Sequence, residues 1–345
     1  MFLANKGGKF PKLPRRKGLP LLWTSIAHRF VSIVGATPCG RPVHCGRPVL
    51  LTFSIVVLFL LGACQSPTGS GSASNTSSST VINVVAAENF YGDIVKQLGG
   101  NHVAVTSILS DPNVDPHEYE SNVQNGIAVS KAQLVIENGG GYDDWMDKLL
   151  SASPNSNRVV LKGFDIATVK LPENVHVWYS IVNVKTIAQA MTNALKKLDT
   201  VDASIFDHNF QTFDQSLQQI QQKISEIKSR YAGTPVGLTE TIYLYQAVPL
   251  GLNVLTPFEF QKAMAEGNDP PATTVVTAED QITKHQIKVL IYNEQTVTPA
   301  TTKLQNDARA QNIPIVPVTE TMPPGKTYQT WMLDQLNTLE QALGR

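Results

Sequence analysis

From residue 81 onward the chain alternates short apolar runs with amphipathic segments, and one stretch of nearly fifty residues interrupts the alternation. The run VINVVAA at 81–87 reads as a buried strand, and ENFYGDIVKQL at 88–98 as an amphipathic helix closed by Gly99 and Gly100. A strand is expected at 102–109, a helix at 122–132 and a strand at 133–138. Alternation of this kind argues for a parallel sheet covered by helices. Ligands of such sheets gather in the loops beyond the strands' C-terminal ends.

The interruption, 183–230, is helical in spacing. Val184, Ile187, Met191, Leu195 and Leu198 form one apolar stripe, and Phe206, Phe210, Phe213, Leu217, Ile220, Ile224 and Ile227 form another. Two helices are expected to meet near 199–202, the second spanning roughly 40 Å at about 1.5 Å per residue. A second series then follows, with strands at 234–239, 252–256, 288–293 and 313–319 and helices ending near 250 and at 259–266, 300–311 and 328–343. The predicted fold class is α/β: two lobes, each a mostly parallel sheet flanked by helices, joined by a long helix. The lobes are expected at 81–182 and 232–345, with the helical connector at 183–231. A cleft between lobes is a preferred place for a ligand.

The charge balance narrows the ligand. Formal net charge is zero, yet nine Lys and Arg precede the first acid, Glu88, leaving 19 bases against 28 acids in the remainder. A domain that acidic is poorly suited to a phosphate backbone, so no nucleic acid is expected, and it suits a cation. Cys39, Cys45 and Cys64 are the only cysteines, which excludes a disulfide framework or thiolate metal site in either lobe.

Residues 49–61 (VLLTFSIVVLFLL) form an apolar run with Arg41 and Arg47 upstream, too short to span a bilayer comfortably and matching the core of a signal peptide. It ends in Leu61-Gly62-Ala63-Cys64, which resembles a bacterial lipobox, with Cys64 as the lipidated residue. The Gly/Ser-rich stretch that follows reads as a tether. The expected order is leader and signal peptide at 1–63, tether at 64–80, then the lobes. Residues 1–48, with CGRPV repeated at 39–43 and 45–49, read as leader absent from the mature protein.

Four positions combine a metal-ligating side chain with a loop after a predicted strand: His117 in DPHEYE, His176 in NVHVW, Glu240 after VGLT and Glu320 after IVPVT. Singly each is weak, since a histidine beside a tryptophan is more often a core residue and a loop glutamate is usually solvated. Together, DPHEYE, NVHVW, TETIYLYQAVPLGL and VPVTETMPPGKTY resemble, in order, the four ligand-bearing segments of the zinc/manganese (cluster A-I) substrate-binding lipoprotein family of ABC importers. The likeness extends to the opening at 83–109, to NGGGYDDWMDKLL and to the long central helix.

The resemblance implies two lobes joined by a rigid backbone helix, with a divalent metal held between them by His117, His176, Glu240 and Glu320. It implies an ABC permease and its ATPase as partners, a lipid anchor to the membrane, an extracytoplasmic location and no enzymatic activity; a monomer is expected. Departures from the family pattern are Val175 where a proline often stands, Glu240 where many zinc-type members carry histidine, and Glu320 where aspartate is usual. No His-rich loop lies between His117 and His176. Two imidazoles and two carboxylates make a neutral site for a divalent cation that accepts zinc, and bidentate carboxylates would suit manganese. Ligand hardness leans toward manganese, while the Irving–Williams order keeps zinc tight in any such site.

Three other readings compete with this one. A secreted metallohydrolase is disfavoured because Ser121 stands where H-E-x-x-H needs its second histidine, and no G-x-S-x-G occurs. A binder of iron chelates or cobalamin does not need His or Glu at all four positions, and an adhesin role has no independent support. Glu118, Glu120 and Glu294 read as solvated or hydrogen-bonded acids, and Trp145 and Trp178 as core.

Overall fold

The computed structural model describes residues 81–345 except Asn113, Asp115, His117 and Glu118. The leader, Cys64 and the tether lie outside the described residues, as does His117. The first lobe runs β1 (Ile82–Glu88), α1 (Asn89–Gly99), β2 (Val103–Leu109), α2 (Val123–Lys131), β3 (Leu134–Glu137), α3 (Asp144–Ala152), β4 (Val159–Lys162) and the short α4 (Gly163–Ile166). Two helices follow, α5 (Ile181–Leu198) and the 29-residue α6 (Ala203–Tyr231). The second lobe holds β5 (Pro235–Leu238), α7 (Leu244–Leu250), β6 (Asn253–Val254), α8 (Phe258–Ala265), α9 (Ala272–Thr283), β7 (Val289–Asn293), α10 (Pro299–Ala310), β8 (Ile315–Val318) and α11 (Tyr328–Leu343).

Each lobe carries a four-stranded, all-parallel sheet, in the orders β2-β1-β3-β4 and β6-β5-β7-β8. The two orders are equivalent, so each lobe repeats one winding with a switch point beside its first strand. Strand periodicity sorts the core: Val84 and Ala86 face one apolar cluster, while Val85 and Ala87 face another with Val129, Val135, Trp145 and Met146. In β7, Leu290 packs with Phe260, Ile282 and Leu304, while Val289 and Ile291 face the opposite way. Both inward faces, with α5, α6 and α11, belong to one continuous core containing Trp178, Tyr179, Tyr243, Tyr328 and Trp331. The lobes are therefore locked by shared packing as well as by the long helix.

Several elements were not legible in the sequence, β4 and α9 among them. The strand β4 is four residues long and only partly buried, and α9 is rich in Thr and Val with Ala278, Gln281 and Ile282 alone buried. Both lack the strong apolar pattern that marks the others. Glu88, expected to open a helix, is instead the last residue of β1 and fully buried. Among the described residues no helix is long and apolar enough to cross a membrane.

Candidate metal centre

Three of the four sequence-predicted site residues are described, and all three are buried, with His176 and Glu240 1% exposed and Glu320 0%. Glu240 lies two residues past β5 and Glu320 two residues past β8, at the C-terminal edge of the second sheet. His176 immediately precedes a single 3-10 turn, Val177–Tyr179, whose tryptophan and tyrosine are anchored in the shared core. Across the lobes, His176 Nε2 stands 3.9 Å from Glu320 Oε2.

Asn174 fixes the histidine. Its Oδ1 accepts the His176 backbone N–H at 3.0 Å and lies 2.9 Å from His176 Nδ1, while its Nδ2 donates to Thr241 O at 2.7 Å. The amide oxygen must therefore face the ring, and a neutral imidazole carries its proton on Nδ1 and turns the Nε2 lone pair toward Glu320. Thr241 follows Glu240 in the second lobe, so one side chain couples the imidazole to a carboxylate loop across the interface.

The loop after β7 fixes the two carboxylates. Asn293 Nδ2 donates to Glu320 Oε1 at 2.7 Å and to Thr296 Oγ1 at 2.9 Å, and Thr296 Oγ1 donates to Glu240 Oε2 at 3.0 Å. Gln295 Oε1 accepts the backbone N–H groups of Glu320 and Thr321, at 2.6 and 3.1 Å, and its Nε2 donates to Val114 O of the first lobe at 2.8 Å. That contact ties the glutamate loop to Val114. The acid of this loop, Glu294, is exposed, as is Glu120. The reading that these acids are solvated holds, and the functional neighbours are the neutral residues around Glu294. Neutral amides and hydroxyls carry no charge or spacing signal; the place of the loop at a strand end was the available clue.

The first lobe adds buried acids that no motif marked. Glu88, Glu137 and Asp143 are all within 2% of full burial, the first two ending β1 and β3. Asp143 accepts the backbone N–H groups of Asn138 and Gly139, both at 2.7 Å. That loop needs positive φ at Gly139, Gly140 and Gly141 in succession, a backbone only glycine adopts at low cost. Burial pushes the Glu88 carboxyl well above its ordinary range, and Asp143 and Glu137 nearby push it further. Burial likewise takes Glu137 to about 7, against the opposing pull of Lys162 at 2.9 Å. Between these acids and the glutamates sits Tyr142, whose phenol is held well above its usual pKa by burial and by the Glu320 carboxylate beside it.

A second grouping, His102, Asp199 and Asp202, lies at the turn between α5 and α6. Its geometry is that of a structural pin. His102 Nδ1 pairs with Asp202 Oδ2 at 2.8 Å, and Asp199 Oδ1 accepts the N–H groups of Val201 and Asp202. Trp145 and Trp178 are buried core residues.

Fold and site together describe a two-lobed binding protein in which His176 and Glu320 meet between the lobes and Glu240 is joined to Glu320 through Thr296 and Asn293. Residues 84–342 match the family of the zinc-uptake complex component A, periplasmic, and the chain belongs to that family. The manganese-binding lipoprotein MntA of Halalkalibacterium halodurans is 25% identical over 184 residues, covering 52% of this chain and 60% of that protein. The manganese ABC transporter substrate-binding lipoprotein ScaA of Streptococcus gordonii is 28% identical over 195 residues, covering 53% and 60%. The alignments thus span about 60% of the length of these curated relatives. Among solved structures, the periplasmic zinc-binding protein TroA of Treponema pallidum shares the fold, with a TM-score of 0.65, 18% identity and coverage of 76% of this chain and 99% of that one.

Proposed function

We propose that this protein captures a divalent transition metal, zinc or manganese, between its lobes outside the cytoplasm and hands it to an ABC permease and its ATPase. His117, His176, Glu240 and Glu320 are the ligands; Cys64 carries the lipid that anchors the chain through the tether at 64–80. The protein is a carrier, not an enzyme. The observation that carries this reading is the burial of His176, Glu240 and Glu320 at one interlobe junction, with Nε2 of the imidazole turned toward a carboxylate. Buried carboxylates beside an imidazole are costly unless a cation or proton accompanies them.

Tetrahedral zinc with bonds of about 2.0–2.1 Å sets its donor atoms about 3.3–3.4 Å apart. The 3.9 Å between His176 Nε2 and Glu320 Oε2 therefore closes by about half an ångström on binding.

The test is a competition titration of metal-stripped protein. One tight site per chain is expected for zinc at about pH 7.5, weakening toward pH 5.5 as protons compete for imidazoles whose ordinary pKa is about 6.5. Binding no tighter than about millimolar for both metals (roughly −4 kcal/mol) overturns the reading.

A further inference from the structure

The loop that holds the two glutamates has a direction, and it bears on which metal the site selects. Asn293 Oδ1 accepts the backbone N–H of Gln295 at 3.0 Å, which fixes Nδ2 as the side facing Glu320 and Thr296. Both protons of that amide are then assigned, one to Glu320 Oε1 and one to Thr296 Oγ1. Thr296 Oγ1, already accepting from Asn293, turns its own proton to Glu240 Oε2. One relay of neutral donors thus occupies one oxygen of each glutamate. Asn293 is 1% exposed and Thr296 7%, so water does not compete for these bonds.

Resting on the proposed metal-carrier reading, we infer that Asn293 and Thr296 are specificity-determining positioning residues that present Glu240 and Glu320 through one oxygen each and so favour zinc over manganese. A carboxylate can give a metal one oxygen or two. Giving two requires it to turn both toward the ion, and a buried donor on one oxygen opposes that turn. Two imidazole nitrogens and two single oxygens make four donors, the number tetrahedral zinc takes, whereas manganese prefers a larger oxygen-rich shell. Glutamate hardness alone leans toward manganese; the hydrogen bonds that hold these glutamates point the other way.

The test compares zinc and manganese affinities, by competition with chelators, for wild type, Thr296→Val, Thr296→Ser and Asn293→Leu. Thr296→Val keeps shape and removes the donor to Glu240. Zinc affinity is expected to fall about ten- to a hundredfold, the usual effect of losing a hydrogen bond to a ligand. Manganese affinity falls by less, because the released oxygen joins its shell, so the zinc-to-manganese ratio drops at least about fivefold. Thr296→Ser restores the ratio, and Asn293→Leu, reaching the same carboxylates from the other end of the relay, lowers it.

The metal K-edge of the manganese-loaded Thr296→Val protein gains oxygen scatterers relative to wild type. A ratio unchanged in Thr296→Val, or lowered equally in Thr296→Ser, overturns the inference while leaving the carrier reading intact. A wild-type protein that binds neither metal removes both.

Discussion

Glu320→Gln is expected to abolish tight metal binding while leaving the metal-free protein at least as stable as wild type. The carboxylate is fully buried, accepts Asn293 Nδ2 at 2.7 Å through Oε1, and aims Oε2 at His176 Nε2. Glutamine keeps the shape and an acceptor for Asn293, and its amide N–H supplies a donor for Nε2. The metal-free protein then buries one carboxyl group fewer. The metal loses an anionic ligand and leaves a buried positive charge uncompensated. Breaking a buried ionic interaction from one side costs about 3–5 kcal/mol, roughly two to four decades of affinity.

Melting with and without zinc reads both effects. Wild type at about a hundredfold over its dissociation constant gains about 2.7 kcal/mol, and the variant gains almost none. A variant that keeps the full zinc-induced shift places the fourth ligand elsewhere.

Asn174→Leu is expected to weaken the fold and the site together. Leucine keeps the branching of the side chain, though its methyl groups are bulkier than the amide, and three bonds go. The His176 backbone N–H and ring Nδ1 lose their shared acceptor, and Thr241 O loses its cross-lobe donor. A buried polar group left without a partner costs about 1–3 kcal/mol, and partial relaxation across these three sets the expected loss at about 2–4 kcal/mol. The imidazole loses the bond that fixes its tautomer, which lowers metal affinity by about ten- to a hundredfold. Denaturant midpoints of the metal-free protein and zinc competition measure the two effects. An unchanged midpoint with unchanged affinity makes Asn174 a bystander.

The architecture was legible because burial wrote it into the sequence. Strands at 81–87 and 288–293 lie inside sheets covered on both faces and so read as continuous apolar runs. The long helix showed itself through Phe206, Phe213, Leu217, Ile220 and Ile227, all of which are buried in α6. Short or weakly buried elements such as β4 and α9 carry no such imprint. His176, Glu240 and Glu320 were legible as metal-ligating types placed after strands. Asn174, Asn293, Gln295 and Thr296 were not, because what they contribute is a hydrogen-bond direction, which exists only once the chain is folded. The buried acids Glu88 and Asp143 were hidden for a related reason: a carboxyl group inside the fold has the same letter as one on the surface.

The most direct measurement of the central claim is the zinc K-edge absorption spectrum of the wild-type protein loaded with one equivalent of metal. A site built from His117, His176, Glu240 and Glu320 gives about four nitrogen and oxygen scatterers at about 2.0–2.1 Å, with the outer-shell signature of two imidazoles and no sulfur. A shell of six oxygens without imidazole scattering would contradict the account.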